Sequence, residues 1–88
     1  MERTVTIVNH LGLHARAAAK LVTLAAKFEA DVRVRKDDRE VSGKSIMGVM
    51  MLAAAQGSDI TLVAEGGDAA QALDELERLV KTRFGEEA

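Results

Sequence analysis

The sequence predicts an α+β fold of two layers, four strands covered on one face by three helices in the order β-α-β-β-α-β-α. Three observations carry that expectation. The spacing of apolar residues alternates along the chain between about two, the period of a half-buried strand, and about 3.6, the period of a helix. The 88 residues suffice for one hydrophobic core and therefore for one domain, residues 1–88. There is no cysteine, proline, tryptophan or tyrosine, and only Phe28 and Phe84 are aromatic. The core must therefore come from Ala, Val, Leu, Ile and Met, without disulfides or a thiolate metal site to support it.

The elements follow in order. Thr4-Val5-Thr6-Ile7-Val8 alternates polar with apolar and predicts the first strand. Asn9 to Leu13 has turn character, with Gly12 free to adopt a backbone angle other residues avoid. From Ala15 the period lengthens, and Ala18, Leu21, Val22, Ala25 and Phe28 form one apolar stripe of a helix. Val32 and Val34 face inward on a second strand while Arg33 and Arg35 face outward. Lys36 to Arg39 predicts a hairpin turn, and Glu40-Val41-Ser42 the return strand. Ser45 is a suitable N-cap for a short helix over Ile46 to Ala55, ending before Gly57. Ile60, Leu62 and Ala64 mark the buried face of a fourth strand over Asp59 to Ala64. Asp68, with Gln71 three residues on, predicts a capping-box variant opening the last helix. Its inward stripe is Ala69, Ala72, Leu73, Leu76, Leu79 and Val80. Gly85 is expected to stop that helix, leaving Glu86-Glu87-Ala88 as a frayed tail. There is no internal repeat, linker or low-complexity segment.

Composition removes several classes of function. Twelve Lys and Arg against 14 Asp and Glu give a formal net charge of −2. Nucleic-acid binding usually shows a basic face with stacking aromatics, and neither is present. The one basic run, Arg33, Arg35, Lys36 and Arg39, is interrupted by Asp37 and Asp38 and flanked by Asp31 and Glu40, as on a solvated strand edge. The N-terminal residues lack the apolar stretch of a signal peptide. The longest apolar run, Ile46 to Ala55, is shorter than the roughly 20 residues a membrane-spanning helix needs. The expectation is a soluble, cytoplasmic protein.

One six-residue stretch carries chemistry: Gly12-Leu13-His14-Ala15-Arg16-Ala17. It sets an imidazole where a turn becomes a helix, with a guanidinium two residues later. The amides of Ala15, Arg16 and Ala17 have no intrahelical acceptor, and the positive end of the helix dipole lies there, which suits a phosphate. Neutral imidazole has a basic nitrogen that can attack phosphorus without a separate base. The planar fork of Arg16 can meet two phosphate oxygens. From these residues alone, an ordinary polar cap at His14 and a solvated Arg16 remain an alternative. A metal pair is another, since His10 and His14 lie four apart, but Gly12 in a turn between them argues against one shared helix, and no third ligand is evident. His10 then reads as a solvated turn residue.

Ser45 opens a second stretch of interest. On helical spacing Ile46, Val49 and Met50 share one side, and Met47 and Met51 another. A short helix cannot bury every face, so an apolar side is either left as a flexible docking patch or packed into the core. Ser45 is either a plain cap or a phosphorylation site, where added charge would stand beside that patch.

Together the two stretches, Gly12-Leu13-His14-Ala15-Arg16 and Lys44-Ser45-Ile46-Met47-Gly48-Val49-Met50, closely resemble HPr, the histidine phosphocarrier family of the bacterial phosphoenolpyruvate-dependent phosphotransferase system. The resemblance covers essentially the whole chain, Asp59 to Gly66 included. It implies an open-faced β-sandwich with an antiparallel four-stranded sheet and three helices on one side. It implies that His14 is phosphorylated on Nδ1 by phospho-enzyme I and discharged by a IIA domain, assisted by Arg16. It further implies that Ser45 is the regulatory serine modified by HPr kinase/phosphorylase, and that Ile46, Met47 and Met50 form the docking surface for these partners. No cofactor, metal or membrane insertion is expected, and the carrier is expected to be a monomer.

Two departures stand out. Ala17 occupies a position that is usually proline in the family, which restores one amide near the imidazole. Leu11 replaces a residue that is often polar in enteric relatives. Two other functions stay open: a nitrogen-branch or purely regulatory carrier, and a binding module whose histidine is never phosphorylated. The retained His14 and Arg16 weigh against the second. A small hydrolase lacks the further acid, base or nucleophile it would need.

Overall fold

The computed structural model describes residues 1–88. The observed order is β1 (Glu2–Thr6), α1 (Ala15–Ala25), β2 (Asp31–Lys36), β3 (Arg39–Ser42), α2 (Ile46–Met51), β4 (Asp59–Glu65) and α3 (Ala69–Lys81), followed by a 3₁₀ turn over Arg83–Gly85. The four strands form one antiparallel sheet in the order β1-β4-β2-β3. The last strand of the chain is thus inserted between the first two. Val5, Ile7, Val32, Val34, Ile60, Leu62 and Ala64 alternate inward and are buried. The helical stripes close over them: Ala17, Ala18, Leu21 and Ala25 of α1, Val49 of α2, and Ala69, Ala72, Leu73, Leu76 and Val80 of α3. This is the two-layer arrangement that alternating strands and amphipathic helices require.

The elements depart from expectation where distant groups decide local structure. β1 runs from Glu2 to Thr6 and not from Thr4 to Val8, because the N-terminal residues pair with β4, Glu2 opposite Val63. α1 stops at Ala25, and Phe28 is buried beyond it, outside the helical stripe. The chain there tightens into 3₁₀-type bonds, Lys27 N–H to Leu24 O and Phe28 N–H to Ala25 O. It is then held from outside: Lys44 Nζ donates to Phe28 O at 2.9 Å, and the Asp68 carboxylate accepts from the amides of Glu29 and Ala30.

Asp68 therefore corrects the capping-box expectation. It occupies the N-cap position of α3 but makes no side-chain cap bond, because its oxygens serve Glu29 and Ala30. α2 is also shorter than expected, six residues ending at Met51 in place of ten ending at Ala55. Ala53 beyond it takes a left-handed angle, φ 51°, that a helix cannot continue through. α3 ends at Lys81 ahead of Gly85. The Thr82 hydroxyl donates back to the carbonyls of Arg78 and Leu79, and the chain turns through three successive left-handed residues, Arg83, Phe84 and Gly85.

The tail is tied down as far as Glu86 and not frayed from there back. Phe84 is fully buried, and Glu86 reaches back across the molecule to His14. Left-handed backbone at non-glycine residues is costly, and it persists where the surroundings over-determine it. Here the buried ring of Phe84 and the bond from Lys20 Nζ to Phe84 O, 2.6 Å, do so.

Candidate functional site

Gly12 sets the start of the site. Its φ is +67°, and a Cβ there would lie 2.5 Å from Ala54 O, so neither the angle nor the space admits a side chain. With glycine in place, the Leu13 amide donates to Ala54 O at 2.9 Å and fastens the loop against the segment after α2. His14 follows as the N-cap of α1 in extended conformation, φ −72° and ψ 177°. Its carbonyl accepts from the Ala18 amide, and its side chain makes no cap bond. The amides of Ala15, Arg16 and Ala17 have no backbone acceptor, as the first turn of a helix dictates.

The imidazole is partly exposed and lines an open cleft of about 520 Å³ together with His10, Leu11, Arg16, Glu86 and Ala88. Arg16 is exposed and makes no ion pair or hydrogen bond, so its five donors are free for an incoming anion. His14 Nε2 lies 2.5 Å from Glu86 Oε2, whereas Nδ1 has no hydrogen-bond partner. The other oxygen of Glu86 accepts from Asn9 Nδ2 at 3.0 Å. Bonding to His14 first, and to Asn9 second, holds the Glu86 carboxyl below its ordinary value, so it is ionised near neutral pH.

Asn9 is fully buried, and Nδ2 also donates to Gly12 O at 2.8 Å. Both partners of that nitrogen are acceptors, which fixes the orientation of the amide. The Asn9 Oδ1 is left without a partner. Asn9 and Glu86 thus belong to the site, although local sequence predicts a turn residue at one and a frayed end at the other. The available signal was Phe84: one of only two aromatic side chains, three residues past the helix, is too large to leave in a solvated tail.

The second candidate group lies on α2. Ser45 is its N-cap, and Oγ accepts from the Gly48 amide at 3.1 Å. Val49 alone of this helix is buried. Ile46, Met47, Met50 and Met51 are exposed, Met47 to 69%. Leu11, beside His14, is exposed to a similar degree. The loop that leads into His14 and the segment that follows α2 are tied together through the Leu13–Ala54 bond. No three His, Asp or Glu side chains converge in a way that could hold a metal ion. No helix is long and apolar enough to cross a membrane.

Comparison with known proteins gives consistent matches. The family described as the PTS HPr component phosphorylation site matches residues 1–82. The chain is 52% identical over 86 residues to phosphocarrier protein HPr of Cupriavidus necator, covering 98% of this chain and 97% of that one. It is 45% identical over 86 residues to phosphocarrier protein NPr of Shewanella violacea, covering 98% and 94%. A crystal structure of HPr from Thermoanaerobacter tengcongensis superposes with a TM-score of 0.96 at 45% identity, covering 100% of this chain and 99% of that one.

Proposed function

This chain belongs to the HPr family of phosphocarriers of the phosphotransferase system, and we propose that His14 is the residue that carries its phosphoryl group. The observation that supports this most is the free Nδ1 of a part-exposed imidazole, at a helix start with three unpartnered amides and an unpaired guanidinium two residues on. The Nδ1 lone pair attacks the phosphorus of phospho-enzyme I. The bond from phosphorus to the donor nitrogen breaks, and its electron pair returns to the donor. Arg16 and the amides of Ala15, Arg16 and Ala17 take up the charge of the new group, about −1.5 to −2 for phosphorylated side chains in general. A IIA domain then attacks the same phosphorus and regenerates neutral His14. The P–N bond is labile, so the group moves on readily.

Ile46, Met47 and Met50 form the surface on which enzyme I, the IIA domain and HPr kinase/phosphorylase dock. Exposed methionines adapt to several partners, which a relay requires. Ser45 is the site of that kinase. A phosphate on Ser45 sets charge beside the docking patch and slows the charging of His14. The carrier works as a cytoplasmic monomer, needs no cofactor or metal, and serves sugar uptake. A second reading, a nitrogen-branch carrier that passes phosphate to a regulator, rests on the likeness to an NPr.

The experiment is to charge the protein with phosphoenolpyruvate, magnesium and enzyme I, then add a IIA domain of a sugar permease. Intact mass should show one acid-labile phosphoryl group gained and then lost to the acceptor. No gain refutes the carrier role of His14. A gain that a nitrogen-branch acceptor discharges, and a sugar IIA does not, selects the second reading.

A further inference from the structure

We propose that Glu86 is the positioning residue for His14: it holds the Nε2–H tautomer, so that Nδ1 alone is the nucleophile. The inference rests on the carrier reading above and assigns a residue that lies outside both sequence motifs. A carboxylate can only accept hydrogen bonds. With Oε2 at 2.5 Å from Nε2, the ring proton must sit on Nε2, which leaves the lone pair of the neutral ring on Nδ1. Glu86 is itself fixed by two features. Asn9 Nδ2, buried and oriented by Gly12 O, donates to Oε1, and the turn through Arg83, Phe84 and Gly85 anchors the tail by a fully buried ring. In that arrangement Asn9 Oδ1 has no partner.

The consequence is directional. As the Nδ1–phosphorus bond forms, positive charge grows on the ring, and the Nε2–H bond to Glu86 strengthens. As an acceptor removes the phosphoryl group, the ring passes back through the same state. Glu86 therefore lowers the barrier for charging, because its bond to Nε2–H is stronger in the transition state than in the free neutral ring. The arrangement mirrors the carboxylate–imidazole pair of the serine hydrolases with the two ring nitrogens exchanged: the acid holds the ring in the productive tautomer and does not itself react.

Glutamine and alanine at this position act differently, which makes the test specific. Asn9 Nδ2 needs an acceptor, so Glu86→Gln turns its oxygen to Asn9 and its NH₂ to His14. That demands a lone pair on Nε2 and moves the proton to Nδ1, blocking the nucleophile. Glu86→Ala merely removes the bias. Charging by phospho-enzyme I should slow about ten- to a hundredfold in Glu86→Ala, and further in Glu86→Gln. Phosphoramidate, a small donor that needs no docking, should label native His14 on Nδ1 and Glu86→Ala on both nitrogens, read by phosphorus and nitrogen NMR. Unchanged rates and an unchanged Nδ1 product in both variants overturn the proposal. So does a native His14 whose nitrogen NMR shows the proton on Nδ1, a measurement that requires no variant to fold. Failure of native protein to be charged by enzyme I, with phosphoramidate labelling still confined to Nδ1, counts against the carrier reading and leaves this one supported.

Discussion

Asp68 accepts the amide of Ala30 at 2.9 Å and that of Glu29 at 3.0 Å, so one carboxylate at the start of α3 secures the chain leaving α1. The Glu29 amide, as the leading cause, draws its carboxyl below the ordinary value of 3.8. A depressed folded value means that the stabilisation is fully present above the unfolded value and is lost as pH falls through the folded one. Asp68→Asn should therefore lower the melting temperature at neutral pH by several degrees. The gap between variant and native should shrink below about pH 4, as the native carboxyl takes up its proton. Thermal melts across that range check it, and a gap independent of pH contradicts it.

Phe84 anchors the tail from a fully buried site. Phe84→Ala should cost about 3–5 kcal/mol in urea unfolding. It should also slow charging of His14, because Glu86 loses its fixed place. A cost near zero would mean that the tail packs without this ring.

Ser45 makes the only side-chain cap among the helices, on a helix of six residues. Ser45→Ala should cost about 1 kcal/mol. Ser45→Asp should reduce the rate of phosphotransfer from enzyme I by placing charge beside Ile46 and Met47. An unchanged rate counts against a regulatory Ser45.

Ala17 is fully buried, and its amide lacks a backbone acceptor. Ala17→Pro therefore removes a donor that the helix does not use, and stability should change by no more than about 1 kcal/mol. The phosphohistidine should become shorter-lived, having lost one amide that can meet its oxygens. Half-life measurements on both forms check this, and a longer half-life in the proline variant is the contrary result.

The parts of this molecule that were legible in the sequence are those written within a few residues. The alternation in Asp59 to Ala64, the stripe of α3 and the Gly12–Ala17 turn into a helix each depend on neighbours, and each is found where the pattern places it. The pattern of α2 does not decide its open face, since core and docking patch share one composition. Only the burial of Val49 with exposure of Met47 separates them. What was misread depends on pairs distant in sequence. Glu86 meets His14 across 72 positions, Asp68 serves Ala30 across 38, and Lys44 holds Phe28 across 16. No local periodicity records such partners, and an acidic residue beside a helix looks the same whether it caps that helix or another segment. The insertion of β4 between β1 and β2 is invisible for the same reason.

The chain has two histidines, and both line the same cleft. Charging by phosphoenolpyruvate and enzyme I, followed by mapping of the acid-labile group in native protein, His10→Ala and His14→Ala, decides which imidazole carries the phosphoryl group. One group is expected in the native protein and in His10→Ala, and none in His14→Ala. A group that persists in His14→Ala, or disappears in His10→Ala, rules out His14 as the sole carrier.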